Sequence, residues 1–169
     1  MYVTLLMFLS VLFSAEWNAI SSSNPVEPEF SLENISGNTT TIEFSLSGYY
    51  SNNFDLNGDV FTKINVDGGT SILKKGFPDL PRFSTSLIIP DESNMSVRVV
   101  EQDYIEVNDI NIIPSKGNLS RLINPDDIDY EFSDVYEKDV FYPRDLTYLR
   151  DPYILREHRG QTVVFNPFQ

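Results

Sequence analysis

The residues able to do chemistry are few, and their surroundings limit them further. His158 is the single histidine, and there is no cysteine among the 169 residues. Thiol nucleophiles, disulfides, iron–sulfur clusters and thiolate zinc sites are therefore excluded together. A Ser–His–Asp triad would rest on His158 alone, which Arg156 and Arg159 crowd; their charge disfavours the imidazolium that a general base must become. The carboxylates Asp126, Asp127, Asp129, Glu131, Asp134, Glu137 and Asp139 include no pair whose spacing fixes the separation glycoside hydrolysis needs. Interleaved with Tyr130, Phe132 and Tyr136, they read as a solvated acidic face that can steer a positively charged partner. Asp55-Leu56-Asn57-Gly58-Asp59 sets three oxygen side chains at alternate positions, as the opening of a calcium loop does. The distal bidentate carboxylate is missing, and Asn57-Gly58 favours a tight turn between strands. Asp55, Asn57 and Asp59 are thus a secondary metal candidate, and neither a catalytic residue nor a cofactor is expected.

The elements that would carry these residues are strands. Residues 42–47 alternate strictly, with Ile42, Phe44 and Leu46 on one face and Glu43, Ser45 and Ser47 on the other, the period of a half-buried strand. Val60, Thr62, Ile64 and Val66 repeat the pattern, and Asp67-Gly68-Gly69 makes a turn. Ser86-Leu87-Ile88-Ile89 is a short apolar run stopped by Pro90. Val97, Val99, Ile105 and Val107 give β-branched alternation across residues 95–107, and residues 162–165 make a last strand. A short helical turn fits residues 145–149, ended by Pro152. Residues 114–134 show little alternation and read as one long loop, of a length that is usually functional or disordered. The pattern predicts an all-β fold, an antiparallel β-sandwich with one long loop and short or no helices.

Lys and Arg number 12 against 25 Asp and Glu, a net charge of −13. Phosphate repulsion then excludes nucleic acid as a partner, and an anionic membrane surface is disfavoured for the same reason. Residues 2–13 are apolar and uncharged, too short for a bilayer span of about 20 residues. They suit the hydrophobic core of an export signal, with Ser14 and Ala15 near a cleavage point. A secreted product without stable membrane insertion is expected. Residues 1–15 are thus assigned to the signal, 16–40 to a linker or N-terminal extension, and 41–169 to a single β-domain, consistent with usual domain sizes.

The long loop opens with Ile113-Pro114-Ser115-Lys116-Gly117-Asn118-Leu119-Ser120-Arg121, which carries two basic side chains. Gly76-Phe77-Pro78-Asp79-Leu80-Pro81 precedes it, then Leu87-Ile88-Ile89-Pro90. Tyr136, Asp139, Phe141-Tyr142-Pro143, Asp151-Pro152, Ile154, Arg156, Arg159-Gly160 and Pro167-Phe168-Gln169 follow it. In this order and spacing, from Gly76 to Gln169, these phrases resemble the N-terminal propeptide of gingipain-type secreted bacterial cysteine peptidases. The resemblance implies a β-sandwich propeptide that accompanies the catalytic domain of the same precursor through export, assists its folding and keeps it latent. It also implies that a basic side chain on a propeptide loop enters the peptidase's specificity pocket. Arg121 is the first choice, because a planar guanidinium can fork onto a carboxylate at the pocket floor; Lys116 is the second. Gly76, Pro78, Leu80, Pro81, Pro90, Pro143, Arg156, Arg159 and Gly160 would then be structural, the two arginines pairing with the acidic run. The nucleophile would belong to the following domain, so this chain is expected to be a piece of a longer precursor and no enzyme itself. The rival reading is a secreted β-sandwich module that binds carbohydrate or a surface ligand through Tyr49 and Tyr50.

Overall fold

The computed structural model describes residues 15–169, so the expected export signal lies outside the described residues except for Ala15. Strand formation follows the alternation. β4 (Gly48–Leu56) and β5 (Asp59–Asn65) form a hairpin closed by Asn57-Gly58, whose φ values of 60° and 96° give the turn that matches strand twist. β1 (Glu16–Ala19) pairs antiparallel with the other edge of β4, so the first sheet runs β1-β4-β5. The second sheet runs β6 (Thr70–Ser71), β7 (Pro81–Ile89), β10 (His158–Phe165), β8 (Thr147–Leu149), with β9 (Tyr153–Leu155) pairing with the start of β10. β10 is central, and it buries the consecutive residues Val163 and Val164, which point to opposite faces, because both of its faces are covered.

β2 (Glu29–Ser36) and β3 (Thr39–Ser45) form a separate hairpin. Its Phe30 and Phe44 meet Phe165 and Phe83 of the second sheet with ring centroids 5.0 to 5.6 Å apart. Such aromatic pairs contribute about 0.5–1.5 kcal/mol each beyond the area they bury. Under the first sheet, Tyr49, Ile64 and Leu80 form a buried cluster, lined by Val66, Ile72, Ile112 and Tyr142. Phe168 closes it, edge-on to Tyr49 at 5.5 Å. The protein is all-β, and among the described residues its only helical turns are of the 3-10 type, at Pro125–Asp127 and Asp134–Glu137.

Three sequence expectations are corrected. Residues 16–40, read as a linker or extension, contribute β1 and β2, and the irregular connector shrinks to residues 20–28. Trp17 docks edge-on to Tyr50 at 5.1 Å, and Phe30 joins the aromatic stack, so burial of two large rings recruits a stretch whose polar composition hid them. Residues 95–107 form no strand despite their alternation. Among the described residues they have no hydrogen-bond ladder partner, and Val100 and Tyr104 stand 70% and 75% exposed. Residues 147–149, read as part of a helical turn, are a strand instead, since pairing with the free edge of β10 outweighs a marginal helix.

The residues of the family-like phrases fall at joints of this framework. Leu80 is in the core, Pro81 begins β7 and Pro90 follows its end. Tyr142-Pro143 is a cis peptide, and Gly160 is buried against the ring of Tyr153. Arg159 does not pair with the acidic run. Its Nη1 donates to the main-chain oxygens of Pro90, Asp91 and Ser93, which satisfies carbonyls that leave the end of β7 without a ladder. Arg156 occupies the β9–β10 turn with φ 57° and is exposed. Among the described residues, neither arginine forms an ion pair.

Candidate functional site

The long loop leaves the framework at Ser115 and returns at Ser133, and one short segment holds both ends. Gly76, at φ +80°, donates its N–H to Ser115 O (2.9 Å) and accepts from Ser133 N–H at its own carbonyl (2.8 Å). Ser115 N–H donates in turn to Phe77 O (2.8 Å), and Asp79 N–H donates to Ile113 O (2.8 Å). On the other side the stem adds to the first sheet: Ile112 bridges Thr62 of β5 in parallel, with Thr62 N–H to Asn111 O at 2.6 Å and Ile113 N–H to Thr62 O at 3.0 Å. Ile113, Pro114 and Ser115 are buried as a result. The motif glycine and Pro78, which bridges Pro114, are thus explained as the seat of the loop.

The returning limb is anchored by aromatic rings. Phe132 lies between Phe61 of β5 and Tyr136, with centroids at 5.3 and 5.1 Å. The Tyr136 hydroxyl donates to Ile112 O (3.0 Å), tying the returning limb to the outgoing stem. Burial, with the negative charge of Asp79 adding to it, pushes the Tyr136 phenol well above its ordinary range and keeps it a donor. Asp79 itself is buried, with Lys63 Nζ 3.4 Å from Oδ2, and Oδ1 has no hydrogen-bond partner. In the sequence Asp79 stands only as part of the family-like phrase Gly76–Pro81, with nothing local to mark it as buried.

Beyond the stem, the two basic candidates differ in what they touch. Lys116 Nζ donates to Pro125 O across the loop (2.7 Å) and lies 4.2 Å from the centre of the Tyr130 ring. Pro125 opens a 3-10 turn capped by Asn124, whose side chain accepts from Asp126 N–H. Residues 117–124 are thereby cinched into a projecting tip. Ser120 O accepts from Ile123 N–H (3.0 Å), so Arg121 and Leu122 occupy the two corners of a β-turn. Both are exposed, Leu122 to 96%, and Arg121 has no hydrogen bond or ion pair. Leu122 and Tyr130 were missed as site residues; Asn124-Pro125, an N-cap followed by the first helical proline, was the available signal for the turn.

The other candidates are not brought together. Asp55, Asn57 and Asp59 sit at the β4–β5 turn, where Asp55 Oδ1 accepts from Gly58 N–H three residues on (3.0 Å) and so braces the hairpin loop. Among the described residues, no group of three or more His, Cys, Asp or Glu could hold a metal. His158 is exposed at the start of β10, away from the loop. The acidic run is exposed throughout; within it Glu131 pairs with Lys75 (2.6 Å) and Asp134 with Lys138, whose ammonium holds the Asp134 carboxyl below its usual range. Tyr49 is 5% exposed and Tyr50 packs on Trp17, so they fill the core and its flank instead of offering a flat aromatic platform.

Comparison with known proteins points the same way. The Propeptide_C25 family model matches residues 26–169. The chain is 34% identical to gingipain R2 of Porphyromonas gingivalis over 163 residues, which is 94% of this chain and 22% of that protein. To gingipain R1 of the same species it is 41% identical over 101 residues, 60% of this chain and 10% of the relative. It therefore spans about a fifth or less of the length of these curated relatives. Among solved structures, it superposes on a chain of the complex of Porphyromonas gingivalis RgpB pro- and mature domains with a TM-score of 0.77 at 34% identity, covering 84% of this chain and 77% of that one. A structure described for the zymogenic latency of gingipain K gives 0.70 at 16% identity, over 91% and 86% of the two chains, a likeness of fold. No helix among the described residues is long and apolar enough to cross a membrane. The matched region is a pro-domain and not a catalytic domain, so the chain is not itself the enzyme. It belongs to the gingipain propeptide family.

Proposed function

We propose that this chain holds the catalytic domain of a secreted gingipain-type cysteine peptidase latent, and assists its folding, by placing Arg121 in the specificity pocket of that domain. The observation that carries this reading is the turn Ser120–Arg121–Leu122–Ile123, which presents an unpartnered guanidinium at the tip of a loop anchored at both ends. The pro-domain of a relative is found in complex with its mature domain, which supports the catalytic domain as partner. Residues 1–15 would direct export of the precursor. The net charge of −13 would steer the domain toward a basic rim around the cleft.

The test is inhibition of mature gingipain R2 by the wild-type chain and by Arg121→Ala. Losing one partner of a buried charged pair costs about 2–5 kcal/mol, so the variant should inhibit well over tenfold more weakly. Unchanged inhibition by the folded variant would remove Arg121 from the pocket. No inhibition by folded wild type would remove the latency reading.

A further inference from the structure

We infer that Lys116 is a positioning residue: it is the strut that closes the throat of the 117–124 tip and so fixes the direction in which Arg121 is presented. This rests on the reading that Arg121 enters the peptidase pocket. The ammonium of Lys116 is engaged twice from the outgoing limb, on Pro125 O at 2.7 Å and on the face of Tyr130 at 4.2 Å, both on the returning limb. A charge-assisted bond to a carbonyl is stronger than the neutral hydrogen bonds of the tip, and the cation over the aromatic face adds to it. Tyr130 stands two residues before Phe132, whose ring packs on Tyr136 and anchors the returning limb, so the strut is tied to the stem through the chain. Reaching into a pocket would oblige Lys116 to give up both contacts and open the throat. Arg121 loses nothing by reaching out, since it has no partner to leave. The two basic residues are therefore not interchangeable candidates for one role. One aims and the other binds, and a tip ordered in advance reduces the entropy lost on docking.

The experiment compares the full wild-type chain with Lys116→Met, Lys116→Arg and Arg121→Ala by amide hydrogen exchange in the free protein and by inhibition of mature gingipain R2. Methionine keeps the length of the side chain without charge or donor. Lys116→Met should speed exchange at the Leu122, Ile123, Asp127 and Ile128 amides about tenfold or more, while the Ile113 and Ser115 amides and the melting temperature stay as in wild type. Its inhibition should weaken by about three- to tenfold, less than for Arg121→Ala, and Lys116→Arg should restore both readouts. Loop exchange in Lys116→Met equal to wild type would overturn the strut. So would loss of inhibition as severe as in Arg121→Ala with loop protection intact, which would put Lys116 in the pocket. Full inhibition by Arg121→Ala would overturn the pocket reading alone, because the exchange measurement needs no peptidase.

Discussion

Arg121 and Lys116 lie five positions apart on one loop, and nothing in their spacing ranks them. What separates them is a carbonyl and a ring contributed by Pro125 and Tyr130, partners that no local pattern announces. The family-like phrases led to the loop, and the forked geometry of a guanidinium to the preference for Arg121; the division of labour required the folded throat. Leu122 was invisible in the sequence for the opposite reason. A leucine at the centre of a loop is unremarkable until it proves 96% exposed at the corner next to Arg121. If Arg121 enters the peptidase pocket as proposed, Leu122 at the adjacent corner of the turn would be covered by the rim of that pocket and would gain from the burial. Burying a leucine side chain contributes about 1.5–3 kcal/mol, so Leu122→Ala should weaken inhibition of mature gingipain R2 by about tenfold, with Leu122→Asp weaker still. Inhibition by Leu122→Ala equal to wild type would mean that the leucine stays in solvent in the complex.

At the scale of elements, the alternating stretches of β3 and β5 and the apolar runs of β7 and β10 became strands as expected, because each finds a hydrogen-bonded neighbour. Residues 95–107 carry the same signal and fail, which shows that alternation specifies a face and not a neighbour. β1 and β2 were hidden in a polar stretch and were recruited by Trp17 and Phe30, single rings that periodicity does not weigh. The loop stem was legible only as a phrase, Gly76-Phe77-Pro78, whose purpose is clear once both Ser115 and Ser133 are seen bonded to Gly76. An added Cβ at Gly76 would meet Glu131 O and Ser133 N at 3.5 Å, ordinary contacts, so the objection to a side chain is the φ of +80° and not a collision. Gly76→Ala should therefore cost about 1–2 kcal/mol in urea unfolding. It should also loosen both limbs together, read as faster limited proteolysis within residues 116–132. Cleavage that accelerates elsewhere but not in the loop would contradict the seat assigned to this residue.

For the whole molecule, the titrating groups that matter to stability are phenols. Tyr136 is raised by burial and by Asp79, and burial also raises Tyr49, Tyr130 and Tyr142. A group whose folded pKa lies above its unfolded value contributes stability that is complete below the unfolded pKa and is lost as pH climbs toward the folded one. The ordinary value here is 10.0, so the protein should hold its stability through neutral and mildly alkaline solution and lose it steeply above that point. Tyr136→Phe should flatten this slope while costing about 1 kcal/mol at neutral pH, since Ile112 O loses its donor. Thermal melts across the alkaline range check both, and a slope unchanged by the substitution would assign the loss to the other phenols. The seating of the loop has one further consequence at this scale. A peptidase that accepts Arg121 as it would a substrate is invited to cut the bond to Leu122, yet each new end would stay fastened, one through Ser115 and the other through Ser133, to the same glycine. The severed halves would have no reason to drift apart, and the wound could be rejoined or simply endured. Escape from a guardian seated in this way would require dismantling the domain around the tip, and not only biting the tip off.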